Sequence, residues 1–138
     1  LMFFSYRDFT SGPDKILEKI NFGRAHHRAI YFVGKNKKIT IKELLSILQI
    51  TKQSLSRVLN QLVEEKYILV SSGEDKRTKN LSLTKKGYEL EQELSKIQIN
   101  NIRRIIKNTN EQEINSFKLI LYKMIDNKNK IIFDELNN

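Results

Sequence analysis

Between Thr40 and Thr84 the apolar residues change their period, and that change limits the available folds more than any other feature of the chain. Ile41, Leu44, Leu45 and Leu48 repeat at helical spacing behind Thr40-Ile-Lys-Glu43. That spacing is a capping box, in which the hydroxyl accepts an N–H three residues on and the carboxylate reaches back. Gln49-Ile50 makes a turn, Thr51 is a second cap, and Leu55, Val58, Leu59, Leu62 and Val63 carry a second helix to about Glu65. Two short helices joined by a tight turn are a helix-turn-helix. After Lys66 the period drops to two: Tyr67-Ile-Leu-Val70 reads as a strand, Ser72-Gly73-Glu74-Asp75 as its turn, and Leu81 with Leu83 as the returning strand. A hairpin in that place is a wing.

The flanks read as helix. Ser11-Gly12-Pro13 breaks the chain, and Pro13 suits the first turn of a helix, where its missing N–H would be unpaired anyway. Ile16, Leu17, Ile20 and Phe22, then Ala25, Ala29, Ile30, Phe32 and Val33, supply two helical faces with Gly23 as the joint. A lysine-rich loop follows from Gly34 to Lys38. Beyond the hairpin, Leu90, Leu94, Ile97, Ile102, Ile105 and Ile106 mark a helix from about Lys85 to Lys107, which Gly87 weakens but does not end. Thr109-Asn-Glu-Gln112 is another capping spacing, followed by a stripe from Ile114 to Ile125, and Asn127 to Lys130 should loosen that helix. The expected fold is mainly α with a small β-hairpin wing: a winged helix-turn-helix core over 39–84, with helical dimerisation regions at 1–33 and 85–138, in one domain over 1–138. Dimerisation is expected because the terminal helices carry more apolar surface than so small a domain readily covers; packing of these helices on each other within a monomer is the alternative.

In 138 residues, 25 Lys and Arg face 16 Asp and Glu, a formal charge of +9. That surplus draws the chain toward polyanions, and by itself does not separate DNA, RNA and anionic surfaces. The absence of cysteine excludes disulfides, thiolate metal sites and cysteine nucleophiles. No run approaches the roughly 18 apolar residues of a membrane span. The apolar start at Leu1 to Phe4 gives way to Ser5, Tyr6, Arg7 and Asp8, so a cytoplasmic protein without membrane contact is expected. There is no phosphate-binding glycine loop and no HExxH, and the paired carboxylates Glu64-Glu65 and Glu74-Asp75 are of the solvated kind, so no enzyme is expected. His26 and His27 are adjacent on a helix and diverge by about 100 degrees, so they do not converge on one ion, half of an intersubunit site with carboxylates being the alternative; no metal and no cofactor are expected.

The apolar stripe of the second helix fixes what points away from the core: Gln53, Ser54, Ser56, Arg57, Asn60 and Gln61. In a major groove Gln53, Ser54, Arg57 and Asn60 would reach base edges, with Arg to guanine and Gln to adenine the natural pairings. Thr51, Lys52 and Ser56 would meet the DNA backbone through first-turn N–H groups and hydroxyls. A merely solvated polar face is the competing reading. The hairpin adds Lys76, Arg77 and Lys79, and basic side chains at a wing tip fit a narrow minor groove. Asp75 either orients the Arg77 guanidinium by a paired hydrogen bond or simply forms the turn.

The run from Ile39-Thr-Ile-Lys-Glu-Leu-Leu45 through Thr51-Lys-Gln-Ser-Leu-Ser-Arg57, then Asp75-Lys-Arg77 and Leu81-Ser-Leu-Thr84-Lys-Lys-Gly87, resembles the MarR family of bacterial transcriptional regulators. The hairpin is the most specific part. The resemblance implies an obligate homodimer joined by its N- and C-terminal helices, and a palindromic double-stranded DNA operator. It implies that the helix from Thr51 to Glu65 enters the major groove and Arg77 the adjacent minor groove. It also implies repression, often relieved by small anionic aromatic effectors. Arg24, His27, Arg28 and Tyr31 lie on the helix that borders the effector cleft in that family. A non-specific nucleoid-type DNA coater and an RNA-binding winged helix are the alternatives. The chain departs from the family where Lys66 replaces a usual glycine and where Ser11-Gly12-Pro13 interrupts the first helix.

Overall fold

The computed structural model describes residues 1–73, 75 and 77–137. Its elements run α1 (Met2–Glu18), α2 (Arg24–Lys35), β1 (Ile39–Thr40), α3 (Ile41–Leu48), α4 (Lys52–Glu64), β2 (Ile68–Ser72), β3 (Lys79–Leu83), α5 (Lys85–Ile106), α6 (Glu111–Met124) and α7 (Asn127–Asn137). Contacts divide the chain into two units, Leu1–Gln98 and Ile99–Asn138.

The first unit is built on a core in which Leu17, Ile30, Leu44, Leu55, Leu62, Ile68, Leu81 and Leu94 lose essentially all solvent exposure. Removing each such side chain from water stabilises the fold by about 1.5–3 kcal/mol, so the relative setting of α2, α3, α4 and the sheet is strongly specified. The strands pair antiparallel in the order β1-β3-β2, with Ile39 opposite Leu81 and Val70 also opposite Leu81. The wing is therefore a three-stranded sheet rather than a bare hairpin. β1 is only two residues long, too short for any periodic signal.

The capping box at Thr40 forms as the spacing predicts. Glu43 N–H donates to the Thr40 hydroxyl at 3.1 Å, and Thr40 N–H to the Glu43 carboxylate at 2.7 Å. The Thr40 hydroxyl also donates to the Glu43 carboxylate at 2.6 Å, and this bond first, with that from the Thr40 N–H second, holds the Glu43 carboxyl below its ordinary pKa.

Three expectations need correction. First, α1 runs without interruption through Ser11-Gly12-Pro13. Pro13 is fully buried, and a Cβ added at Gly12 would lie 2.7 Å from Ile97 Cγ2, so close packing in the first unit outweighs the lost hydrogen bond. Thr10 and Ser11 also turn their hydroxyls onto carbonyls of the preceding turn, Thr10 onto Tyr6 and Arg7 and Ser11 onto Asp8. Second, the last capping box begins at Asn110, not Thr109: Asn110 accepts from Glu113 N–H at 2.9 Å, while the Thr109 hydroxyl donates back to Ile105 O. Third, the helix breaks at Ile125-Asp126, and Asn127 to Lys130 open α7 instead of loosening α6.

At the end of α4 the chain turns through Lys66 at φ 63°, the left-handed conformation expected of the usual glycine. Lys66 N–H donates to Val63 O at 3.0 Å and Tyr67 N–H to Leu62 O at 2.8 Å, the paired bonds of a Schellman motif, with Leu62 and Tyr67 both buried. A left-handed lysine costs about 1–2 kcal/mol, against the roughly 0.5–1 kcal/mol of extra chain entropy a glycine would lose. Lys66→Gly is therefore expected to raise stability by about 0.5–1 kcal/mol, read as a higher urea midpoint at unchanged slope.

Candidate nucleic-acid interface

α4 begins on Thr51, whose hydroxyl accepts Ser54 N–H at 3.1 Å and donates to Ser54 Oγ at 2.8 Å. The Thr51 hydroxyl is thus a helix cap rather than a free phosphate donor. The first-turn N–H groups of Lys52 and Gln53 precede any helical acceptor and point out of the helix end. With Leu55, Val58, Leu59 and Leu62 buried, Thr51, Lys52, Gln53, Ser54, Ser56, Arg57 and Asn60 are all exposed. The expected readout set therefore shares one solvent-facing surface of α4.

Gln61 does not join it. Its Oε1 lies 2.8 Å from His26 Nε2, and its amide nitrogen donates to Glu65 at 3.1 Å and to Asn21 O at 3.4 Å. Gly23 N–H donates to His26 Nδ1, so the imidazole proton sits on Nε2 and is given to Gln61. His26 also stacks on Phe22, centroids 4.6 Å apart. Gln61 borders the apolar stripe, and its amide locks the rotation of α4 against the start of α2.

At the wing tip Asp75, Arg77 and Lys79 are exposed, while Lys76 and Glu74 lie outside the described residues. The Asp75 carboxylate accepts the backbone N–H of Arg77 at 3.0 Å, and Asp75 O accepts Thr78 N–H at 2.8 Å. Asp75 is thus the turn-former; the paired bond to the guanidinium is not present among the described residues. A carboxylate captured by the nearby main chain shapes the loop and leaves the Arg77 side chain free of it. Sequence reasoning missed one cation here. Lys38 stands with Ser71, Ser72, Asp75, Thr78 and Asn80 around an open groove on the wing. The signal was present as Lys37-Lys38 directly before the β-branched pair Ile39-Thr40.

The proposed effector residues divide. Arg24 is spent on Asp14 of α1, with N–O distances of 2.7 and 3.0 Å, and lies over the Tyr6 ring. Arg28 and Tyr31 are exposed and His27 is half-buried. Burial is the main cause that pushes the His27 pKa down from its ordinary 6.5, against the opposing pull of Asp14 and Glu91. Among the described residues no cluster of His, Cys, Asp and Glu is arranged to hold a metal ion, and no helix is long and apolar enough to cross a membrane.

A depressed histidine pKa means that the unfolded chain binds the proton more tightly. The stabilising contribution is full above about pH 6.5 and is lost as pH falls toward the folded-state value. His27→Gln should flatten the decline in melting temperature between neutral and mildly acidic buffer; an unaltered decline would show that His27 does not carry it.

A family model described as the MarR family matches residues 20–78. Over 126 residues the chain is 43% identical to the HTH-type transcriptional regulator PetP of Rhodobacter capsulatus, covering 91% of this chain and 76% of that one. Among solved structures, a MarR protein of Peptoclostridium difficile superposes with a TM-score of 0.77 at 20% identity, covering 96% of this chain and 88% of that one. The MepR–DNA complex of Staphylococcus aureus superposes at 0.73 and 20% identity, covering 89% and 90%.

Proposed function

The chain belongs to the MarR family of winged-helix transcriptional regulators, and we propose that it is a homodimeric repressor that binds a palindromic double-stranded DNA operator. The observation that carries this reading is the single exposed face of α4 bearing Gln53, Ser54, Arg57 and Asn60, beside a wing bearing Arg77 and Lys79. Arg and Gln on a groove-sized helix recognise guanine and adenine edges, a chemistry that a non-specific coater built on lysine would not need. The wing cations Arg77 and Lys79, with Lys38 on its flank, supply the phosphate and minor-groove contacts that hold the register. Lys52 and Ser56 at the start of α4 meet the backbone, while Thr51 serves them by capping the helix whose first-turn N–H groups face the phosphates. The fold-level likeness to a DNA-bound structure, MepR of S. aureus, agrees with this reading.

The partner for the apolar termini is a second copy of the chain. In the second unit α6 and α7 bury no residue, and Phe117, Leu119, Ile120, Met124 and Ile131 are more than half exposed. At the other end Leu1, Met2, Phe3 and Phe4 are exposed as well. Apolar surface of this extent favours association, and a two-fold dimer would present two α4 helices to an inverted repeat. On this reading an anionic aromatic effector would meet Arg28 and Tyr31 beside His27, with Arg24 held back by Asp14. The working compartment is the cytoplasm.

Selection from randomised duplexes tests the reading: enrichment of an inverted repeat supports it, whereas no enrichment favours a DNA coater and a preference for RNA favours an RNA-binding winged helix. On the selected operator Arg57→Ala should cost discrimination against random duplex by about 1–3 kcal/mol, and equal loss on both duplexes would reassign Arg57 to the phosphates. Arg77→Ala should weaken operator binding with the fold intact. Sedimentation at micromolar concentration should return a dimer; a monomer there would remove the two-fold part of the proposal.

A further inference from the structure

Resting on the reading of the protein as a DNA-binding regulator, we propose that Thr84, together with Lys86 and Gly87, is a positioning residue that sets the angle between the wing and α4. That angle determines whether Arg77 and the α4 side chains engage one duplex together.

The wing leaves the body of the first unit at Tyr67 and returns at Thr84, and the two ends are clasped. Thr84 N–H donates to Tyr67 O at 3.0 Å, and the Thr84 hydroxyl donates to Lys66 O at 2.6 Å. The same hydroxyl accepts Gly87 N–H at 3.0 Å, so it is used in both directions. Lys66 is the left-handed residue that ends α4, so this hydroxyl reaches the one backbone unit at which recognition helix and wing meet. Gly87 admits the approach: a Cβ there would stand 2.1 Å from Tyr67 O, a distance no side chain tolerates. Lys86 adds a third tie, its ammonium 2.9 Å from Glu65 O and 4.0 Å from the centre of the Tyr67 ring. A cation there meets the unpaired carbonyls and negative dipole end of α4. The end of α4, the root of the wing and the first turn of α5 are thereby one joint.

The lever makes this joint matter for DNA. Five residues of β2 at about 3.4 Å each carry the tip about 17 Å from the root, so a tilt of about 10° moves it by about 3 Å. A displacement of that size takes a guanidinium out of hydrogen-bond range. A hydroxyl that merely capped α5 would affect stability without selectively uncoupling wing from helix, and this separates positioning from simple support.

Thr84→Val preserves shape and the main-chain bond to Tyr67 O but removes the hydroxyl's bonds to Lys66 O, Tyr67 O and Gly87 N–H, whereas Thr84→Ser keeps them. Binding of the selected duplex is measured for wild type and both variants, each with and without Arg77→Ala and Arg57→Ala. In wild type Arg77→Ala should weaken binding about tenfold, the scale of one lost charge-assisted contact. In the Thr84→Val background that loss should shrink to about twofold or less while the Arg57→Ala loss persists, and Thr84→Ser should restore the wild-type pattern. An undiminished Arg77→Ala effect in Thr84→Val, or failure of Thr84→Ser to restore it, overturns the proposal.

A second measurement needs no DNA. The chain has no cysteine, so spin labels at Gln53→Cys and Ser72→Cys, both exposed, report the distance from α4 to the wing when labelled protein is diluted in excess unlabelled chain. One narrow distance is expected for wild type and Thr84→Ser, and a broadened or shifted one for Thr84→Val; an unchanged distance in Thr84→Val overturns the clasp. If wild type binds no duplex, the regulator reading fails while these distances still decide the clasp. Should Thr84→Val not fold, Lys86→Met takes its place, with a smaller broadening expected and none counting against the proposal.

Discussion

Burial of one stripe of α4 is the constraint on which the interface depends. Leu55 and Leu62 are completely enclosed, with Val58 and Leu59 nearly so, against a core that includes Ile30 of α2 and Leu44 of α3. Advancing the helix by one residue would turn it by about 100°. Leucines would then face water, and polar groups such as Arg57 would have to be buried without partners, a change of several kcal/mol. The polar face that meets solvent is thus the complement of the apolar one. Gln61 adds a directional check, because its amide fits the His26 ring nitrogen at only one rotation. Hydrophobic burial supplies the energy here and the His26–Gln61 hydrogen bond supplies the angle.

Three carboxylates of the first unit are fixed by partners close at hand. Arg24 and Asp14 neutralise each other between α1 and α2, Glu43 is absorbed into a helix cap, and Asp75 is turned onto its own main chain. Such local pairings contribute modestly to stability, since the groups are largely exposed. A carboxylate that accepts a hydrogen bond keeps its charge, so Glu43 and Asp75 are fixed in place rather than neutralised, and of these three only Asp14 meets an opposite charge. The formal surplus of +9 over the whole chain draws it toward polyanions.

Much of this was legible in the sequence, where the signal was local. Thr40 with Glu43, Thr51 with the leucine stripe, and the alternation of Leu81 and Leu83 each specify their element through neighbours within four residues. What was not legible depends on distant partners. Pro13 stays helical because of what packs on Gly12, β1 exists only because β3 pairs with it, and Gln61 turns inward because His26 lies 35 positions earlier. At Thr109 two capping residues stood side by side, and the hydroxyl that bonded backward left the role to Asn110. The fates of Arg24 and Asp75 were hidden for the same reason, since a carboxylate's choice between main chain and guanidinium is set by the turn around it.

Glycine has an unusual division of labour in this chain. The positive-φ positions among the described residues are Asn21, Lys38, Gln49 and Lys66, none of them glycine, while Gly12, Gly34 and Gly87 sit where a Cβ would strike a neighbour. Close approach has been given priority over turn conformation, at a cost in local strain. For the wing this has an architectural result. Because residues 67 and 84 are joined at the base, the loop between them is already closed in the entropic sense, and adding residues at its far end costs little. The tip is then free to lengthen, shorten or change its charge without disturbing the helix beside it, whereas one residue inserted between Thr84 and Gly87 would undo both at once.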